Sequence, residues 1–123
     1  MSWSYVKRDK ADSVFSRYIR LKAKRCMNCG LRGRGEEGII GLQASHYHGR
    51  RKESVRFDEE NVDCFCIGCH KKLGTDDRPA YTSFKIRQLG QKGFDLLMLR
   101  ANTPAKKDRK LAYMIYSKLL KEL

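Results

Sequence analysis

Cys26-Met27-Asn28-Cys29 and Cys66-Ile67-Gly68-Cys69 are the two stretches that decide the fold of this 123-residue chain. In each CxxC unit the two-residue gap lets both thiolates of one tight turn face the same ion, and two such turns complete a tetrahedral shell. Two matched pairs argue against a redox motif, and the absence of a recognisable export signal argues against disulfides. The sequence therefore predicts one Zn²⁺ held by these four cysteines.

The fifth cysteine, Cys64, lies two residues before Cys66 and is an alternative ligand to it. Because Cys64 and Cys69 lack the two-residue spacing of the knuckle, we expect Cys64 to be a small buried apolar residue on a strand. Four thiolates leave no open position for water, so we expect this zinc to be structural rather than catalytic.

The chain is strongly basic, with 27 Lys and Arg residues against 14 Asp and Glu residues and a formal net charge of +13. Such an excess attracts polyanions, of which nucleic acid is the commonest at this size. A membrane surface is the weaker alternative, since no basic amphipathic helix with a bare apolar face stands out. The N-terminus lacks the apolar core of a signal peptide, and no apolar run reaches about 18 residues, so we expect a cytoplasmic protein with no membrane partner.

The sequence predicts one α+β domain over residues 1–123, divided into three parts. An N-terminal helix lies within residues 1–25, a zinc-knuckle core within 26–76 and a C-terminal helical extension within 77–123. In the core, a first strand ending near His46 and a second short strand precede a helix that begins near Cys66. Since so small a core buries little apolar surface by itself, a structural metal is a common source of the missing stability.

Periodic apolar residues predict the faces of the terminal helices. We expect the first helix to be capped by Asp12 or Ser13 and to bury the stripe formed by Val14, Tyr18 and Leu21, with Phe15 and Ile19 beside it. We expect the last helix to begin at Thr103-Pro104 and to bury the stripe formed by Leu111, Ile115 and Leu119. The apolar faces of these helices also offer a surface on which a homodimer would form.

All three histidines, His46, His48 and His70, lie between or directly beside the CxxC units. The order of motifs is CxxC, ASHYH (44–48), ENV (60–62) and CIGCH (66–70), and it resembles the HNH (ββα-metal) nuclease family. In that family a histidine ends the first strand, an asparagine follows the loop and a third residue begins the helix. Stretches 12–30, 55–62 and 84–97 are similar to lambdoid-phage recombination proteins of the NinG (Rap) family, and the similarity covers roughly residues 9–100.

The resemblance implies that His46, Asn61 and His70 are the catalytic set of a metal-dependent DNA endonuclease. An imidazole with a pKa near neutrality lets His46 accept the proton of the attacking water as general base. His70 would hold a catalytic Mg²⁺ or Mn²⁺ against the scissile phosphate, and Asn61 would orient the His46 loop. The family also implies that the bonds hydrolysed are phosphodiesters of branched or forked DNA during phage recombination. Flanking phosphates would be bound by the basic loop residues Arg50, Arg51 and Lys52.

Ser45 departs from the family pattern, because many HNH enzymes carry a metal-binding Asp immediately before the base histidine. His48 lies two residues beyond His46 and would face the same side of a strand, so it is expected either to bind the catalytic metal or to donate to the phosphate. Asp63 is a further possible ligand. The alternative function is a non-catalytic, zinc-stabilised nucleic-acid-binding module with a decayed active site; an RNA-binding ribosomal zinc ribbon ranks below both.

Overall fold

The computed structural model describes residues 7–105 and 108–123, and this part of the chain has an α+β fold, as predicted. Helices flank a two-stranded sheet in the order α1 (Lys10–Ala23), β1 (Leu42–His46), β2 (Val62–Cys66), α2 (Ile67–Lys71), α3 (Arg78–Asn102) and α4 (Arg109–Lys121). Short 3₁₀ turns at Glu53–Val55 and Glu59–Asn61 precede β2, and a π-turn at Lys72–Asp76 follows α2. Among the described residues, no helix is both long and apolar enough to cross a membrane.

The two strands pair antiparallel, with Leu42 opposite Cys66 and His46 opposite Val62. Every residue of β2 is buried, so this strand forms the centre of the core. Because β2 ends at Cys66 and α2 begins at the next residue, strand, strand and helix follow one another around the second CxxC unit. The predicted end of the first strand at His46 and the predicted start of the helix near Cys66 are both confirmed.

Helix α1 begins earlier than its predicted cap. Asp9 is the N-cap, and its Oδ1 accepts hydrogen bonds from the backbone N–H groups of Ala11 at 2.9 Å and Asp12 at 3.1 Å. Asp12 completes a capping box, since its Oδ2 accepts from the Asp9 N–H at 2.9 Å. The prediction of Asp12 or Ser13 as the cap is therefore wrong, because both residues lie inside the helix. The large apolar side chains that α1 buries are those of Phe15, Tyr18 and Ile19.

Helices α3 and α4 meet at a different point from the predicted one. Thr103 is the C-cap of α3 rather than the N-cap of α4, and its Oγ1 donates to the Leu99 carbonyl at 2.7 Å. Helix α4 begins after Asp108, whose carboxylate accepts from the Leu111 N–H at 3.0 Å. Helix α3 is kinked at Gly90, which has φ 76° and ψ 163°. A residue with a Cβ would be strained in this conformation.

An aromatic cluster joins α1 to α4. The ring of Phe15 lies edge-on to that of Tyr116, with centroids 4.7 Å apart, and Tyr18 lies 5.2 Å from the same ring. This contact turns a different face of α4 to the core from the one predicted. Two of the three residues in the predicted stripe, Leu111 and Ile115, are 50% and 44% exposed. The prediction that they are core residues is wrong.

Candidate metal centre and active cavity

The two CxxC turns meet in space as the sequence predicts. The Sγ atoms of Cys26, Cys29, Cys66 and Cys69 all lie within 4.8 Å of one another. Thiolates bound tetrahedrally at the usual Zn–S distance would lie about 3.8 Å apart, and the sulfur atoms of Cys29 and Cys66 are separated by 3.8 Å. The cluster therefore fits a structural zinc ion with a closed shell.

Backbone N–H groups point at the sulfur atoms of this cluster. The Cys69 N–H donates to Cys66 Sγ at 3.4 Å, and the Cys29 N–H donates to Cys26 Sγ at 3.5 Å. Burial opposes ionisation of Cys26, but backbone hydrogen bonds from Cys29, Cys66 and Asn28 outweigh it and lower its pKa to about 7. Burial raises the pKa of Cys69 to about 12. All four thiols ionise together only when a cation compensates the crowded negative charge.

Cys64 lies outside this cluster. It is a fully buried residue of β2, and its carbonyl accepts from the Met27 N–H at 2.8 Å. Burial raises the pKa of its thiol to about 11. Because Cys66 belongs to the four-sulfur cluster and Cys64 does not, the geometry favours Cys66 over Cys64 as the fourth ligand.

A cavity of about 600 Å³ lies between α1 and β1. His46, the last residue of β1, and His70 of α2 both line it. Alternate residues of a strand point to the same side, so Leu42, Ala44 and His46 share the wall that faces α1. The structure thus brings together two of the three members of the predicted catalytic set.

One ring nitrogen of His46 forms a hydrogen bond with the backbone. Its Nε2 lies 2.9 Å from the carbonyl oxygen of Arg56. Because a carbonyl only accepts, Nε2 carries the hydrogen and Nδ1 keeps a free lone pair. Burial lowers the pKa of His46 to about 4; the bond to Arg56 opposes this shift and the charge of Arg50 adds to it. The expected pKa near neutrality is therefore wrong, and the imidazole is neutral at pH 7, with Nδ1 as its proton acceptor.

Asn61 is fully buried and does not line the cavity. Its Oδ1 accepts from the His48 N–H at 2.8 Å, while its Nδ2 donates to the carbonyls of His48 at 2.9 Å and Val55 at 3.1 Å. The amide connects the residues directly after His46 to the residues directly before β2. Asn61 therefore holds the backbone just after β1 and does not face the cavity.

The structure does not bring His48 into the cavity lining. Strand β1 ends at His46, so the alternation that would place both histidines on one side stops before His48. Its Nε2 is buried and has no hydrogen-bond partner among the described residues. Burial lowers the pKa of His48, and the charges of Lys52 and Arg78 act in the same direction. Among basic neighbours and away from His70, His48 has no geometric support as a ligand of a metal in the cavity.

Two further buried polar atoms, Ser45 Oγ and His70 Nδ1, also have no hydrogen-bond partner among the described residues. A Cβ built on Gly74 would lie 3.7 Å from Nδ1 and 3.9 Å from Oγ, so both atoms border the same small space. Ser45 is 1% exposed and does not line the cavity. His70 Nδ1 is thus enclosed beside Ser45 and Gly74.

Asp63, the further ligand candidate, is enclosed between β2 and α3. Its carboxylate accepts hydrogen bonds from Tyr81 Oη at 2.8 Å, Gln88 Nε2 at 3.0 Å and Lys85 Nζ at 3.2 Å. The side chains of Asp63 and Lys85 are both 0% exposed. Burial lowers the pKa of Lys85, while the Asp63 carboxylate opposes that shift. This buried ion pair, which the sequence did not reveal, leaves Asp63 no part in a metal site at the cavity.

The three basic residues of the predicted phosphate-binding loop lie in different places in the structure. Arg50 lines the cavity, and its Nη1 lies 3.7 Å from Asp12 Oδ2. Lys52 points to the end of α3, where its Nζ donates to Asn102 Oδ1 at 3.4 Å. Arg51 is exposed and is not part of the lining. Of the three basic residues, only Arg50 is therefore placed beside His46 and His70.

Two arginines outside the predicted set, Arg8 and Arg20, also line the cavity. Arg20 follows Asp12 and Ser16 at four-residue intervals, which places these three side chains along one ridge of α1, while Arg8 lies just before the N-cap of the helix. This spacing is visible in the sequence, but which face of α1 turns towards β1 is not. The cavity therefore combines a neutral imidazole, a second imidazole and three guanidinium groups.

Comparisons of the chain with models of protein families, with curated proteins and with solved structures find no match.

Proposed function

We propose that this protein is a divalent-metal-dependent DNA endonuclease of the HNH type that hydrolyses phosphodiester bonds. The observation that carries the proposal is the shared cavity, in which a neutral His46 lies with His70 among arginine side chains. Phosphodiester hydrolysis needs a base, a ligand for a cation and positive charge near the phosphate. The residue types lining this cavity meet all three needs.

His46 acts as the general base. Its Nδ1 takes a proton from water, while Nε2 keeps its hydrogen bond to the Arg56 carbonyl at 2.9 Å and so holds the ring in place. The water oxygen forms a bond to phosphorus, the bond from phosphorus to the 3′ oxygen breaks, and the departing oxygen takes a proton from solvent, to which His46 later releases the proton that it accepted. Because burial keeps His46 neutral at pH 7, its proton acceptor is free at that pH.

His70 would hold a catalytic cation at the cavity. When bound there, Mg²⁺ or Mn²⁺ would polarise the scissile phosphate and stabilise the charge on the leaving oxygen. Arg50 supplies a guanidinium to the phosphate from the wall that carries His46. The structural zinc supports this arrangement, because Cys69 precedes His70 directly and the metal would hold the start of α2 against the end of β2.

The resemblance to NinG (Rap) recombination proteins extends the proposal to branched or forked DNA in phage recombination. A net charge of +13 supports binding to the DNA backbone, because basic residues that neutralise phosphates release condensed counterions. Phosphate contacts carry no information on branching, so the DNA structure is the part of the proposal that depends on the resemblance alone.

The test is cleavage of labelled synthetic duplex, fork and four-way junction DNA in Mg²⁺ or Mn²⁺. We expect the purified protein to nick branched DNA, and we expect His46→Ala to stop the nicking while DNA binding persists. Lys22→Gln is a matched control, since Lys22 lies on α1 and pairs with Glu59 away from the cavity. The control should cut at the wild-type rate.

A non-catalytic nucleic-acid-binding module is the second candidate, and Ser45 is the observation that favours it. A serine with a fully buried hydroxyl replaces the carboxylate that would share the cation with His70. If the wild-type protein binds DNA and cuts none of these substrates with any divalent ion, this candidate replaces the endonuclease.

A further inference from the structure

We propose that Arg8 and Arg20 form a phosphate-binding subsite on the α1 side of the cavity, so that α1 contacts the backbone of the bound DNA strand. The identity of the ligand rests on the proposed function. The subsite itself rests on the position of these two side chains and on the charge around them.

The two arginines line the cavity from the wall opposite β1. Arg8, Asp12, Ser16 and Arg20 follow one another at four-residue intervals and all line the cavity. Asp12, Ser16 and Arg20 form one ridge of α1, and Arg8 lies just before the N-cap of the helix. Arg8 and Arg20 therefore both contribute positive charge on the α1 side of the cavity.

The carboxylates near this ridge are already paired. Asp12 accepts from Arg56 Nε at 2.9 Å and from a second nitrogen of the same guanidinium, and Arg56 is itself fully buried. Glu37, the acidic residue that acts on Arg20, forms its ion pair with Arg17. The cavity therefore retains an excess of positive charge from Arg8, Arg20 and Arg50.

A hydrogen bond to the backbone holds the Arg20 side chain at this positively charged cavity. Its Nε donates to the Ser16 carbonyl at 3.1 Å, which directs the guanidinium along the ridge. Burial lowers the pKa of Arg20, and the like charges of Arg8 and Arg17 lower it further. A partly desolvated cation beside another cation is unfavourable until an anion joins them. A phosphate satisfies this arrangement well, because guanidinium groups bind phosphate oxygens in a bidentate manner.

A phosphodiester is the anion that this position favours. The subsite opens into the same space as the His46 and His70 side chains, so a strand with its scissile phosphate beside His46 presents neighbouring phosphates to α1. Contacts of this kind set the position of the strand and do not read its sequence. Loss of the subsite is therefore expected to weaken binding by the same factor for oligonucleotides of different sequence.

The experiment measures binding of a fluorescein-labelled oligonucleotide as a function of salt, in a His46→Ala background that prevents cleavage. We expect Arg8→Gln and Arg20→Gln each to weaken binding by roughly tenfold at low salt. We expect each to reduce the slope of log K against log salt by about one, because each removes one phosphate contact. Arg20→Lys, which keeps the charge, should retain the slope, and Lys22→Gln is the matched control with the slope unchanged.

An unchanged slope in the folded Arg8→Gln/Arg20→Gln double variant would overturn the subsite, and so would an absence of any DNA binding by the parent protein. Binding without cleavage by the wild-type protein would remove the endonuclease proposal, while a reduced slope would still support the subsite. Cleavage that is abolished by His46→Ala and unaffected by the two arginine variants would remove only the subsite. Thermal melting of each variant identifies any that has lost its fold.

Discussion

The buried amide of Asn61 shows how one side chain can fix the backbone next to His46, the general base that we propose. It satisfies the N–H and the carbonyl of His48 and the carbonyl of Val55 with one acceptor and one donor group. The contacts to His48 lie just beyond His46, where β1 ends, and the contact to Val55 lies at the end of the 3₁₀ turn Glu53–Val55. A neighbouring strand cannot satisfy these backbone groups here, so the side chain takes that role.

Asn61→Ala should therefore lower both stability and activity. Removing the amide leaves buried backbone groups unpaired, and we expect the free energy of unfolding to fall by about 2–3 kcal/mol. Urea denaturation measures this loss, and the cleavage rate of the folded variant at low temperature measures the displacement of His46. Asn102→Ala removes an exposed amide and should stay within about 0.5 kcal/mol of wild type. Equal stability of the two variants would contradict this role for Asn61.

For Ser45 we expect the opposite outcome, namely that removal of its buried hydroxyl does not destabilise the protein. Its hydroxyl has no hydrogen-bond partner among the described residues, so the folded state carries the cost of having removed it from water. Ser45→Ala keeps the shape of the side chain and removes that cost, and we expect stability within about 0.5 kcal/mol of wild type or slightly higher. A measured loss of 2 kcal/mol or more would show that the hydroxyl has a partner after all.

His46 should make the protein less stable in acid. Its pKa is about 4 in the folded protein against 6.5 for a free side chain, because burial disfavours the charged ring. Between these values the unfolded chain binds a proton that the folded chain does not, so this contribution to stability is complete above pH 6.5 and is lost as the pH falls towards 4. The slope for this one group is at most about 1.4 kcal/mol per pH unit.

The measurement for His46 is urea denaturation at several values between pH 4.5 and 7.5, with His46→Gln as the comparison. The stability difference, wild type minus variant, should shrink as the pH falls, since Gln has no titrating group. A difference that stays constant across this range would mean that His46 is protonated as easily in the folded protein as in the unfolded chain.

At the scale of elements, a buried ion pair joins α3 to β2. Lys85 and Asp63 are both inaccessible to solvent, and Tyr81 and Gln88 complete the hydrogen bonds of the carboxylate. Lys85→Met should destabilise the protein by about 3–5 kcal/mol, because the Asp63 carboxylate would remain buried without its counter-charge. The double variant Asp63→Leu/Lys85→Met should lose clearly less than the sum of the two single variants. Additive losses in denaturation experiments would contradict a direct pairing.

The same elements show which parts of the structure the sequence could predict. The CxxC spacing is local, and the end of β1 at His46 follows from an apolar run that stops, so both could be read from the chain. The face of α4 that is buried could not be predicted from the chain. Leu111 and Ile115 form the more apolar stripe, yet Tyr116 is turned inwards, because its partners are the aromatic rings of α1. Periodicity shows that a face exists, and the packing partner decides which face is buried.

The candidate site likewise contains some residues that could be predicted from the sequence and others that could not. His46 and His70 could be predicted because the motif order around the CxxC units resembles that of a known family. The pairing of Asp63 with Lys85 and the position of Arg8 and Arg20 at the cavity could not be predicted. Each depends on how a helix lies against the sheet. A lysine or arginine in a helical pattern is usually a solvated residue, and only the position of the neighbouring element shows otherwise.

At the scale of the whole molecule, the four-cysteine cluster closes a long loop that carries His46 and Arg50. It joins a turn just after α1 to a turn at the start of α2, with 36 residues between the CxxC units. Closing a loop of this length without a crosslink costs entropy that the small apolar core must offset. A metal that binds only the folded arrangement contributes its binding free energy directly to folding.

Loss of zinc is therefore expected to dismantle the active cavity as well as the knuckle. Purified protein should contain one zinc per chain by elemental analysis, and Cys69→Ser or prolonged chelation should abolish the cooperative thermal transition and the near-UV circular dichroism signal of the aromatic core. Cys64→Ser is the matched control, since Cys64 lies outside the cluster; this variant should keep the metal and a cooperative transition. Because Cys69 is next to His70, cleavage should disappear together with the metal and return when zinc is restored. A Cys69→Ser protein that melts like wild type would show that the fold, and the cavity with it, stands without the ion.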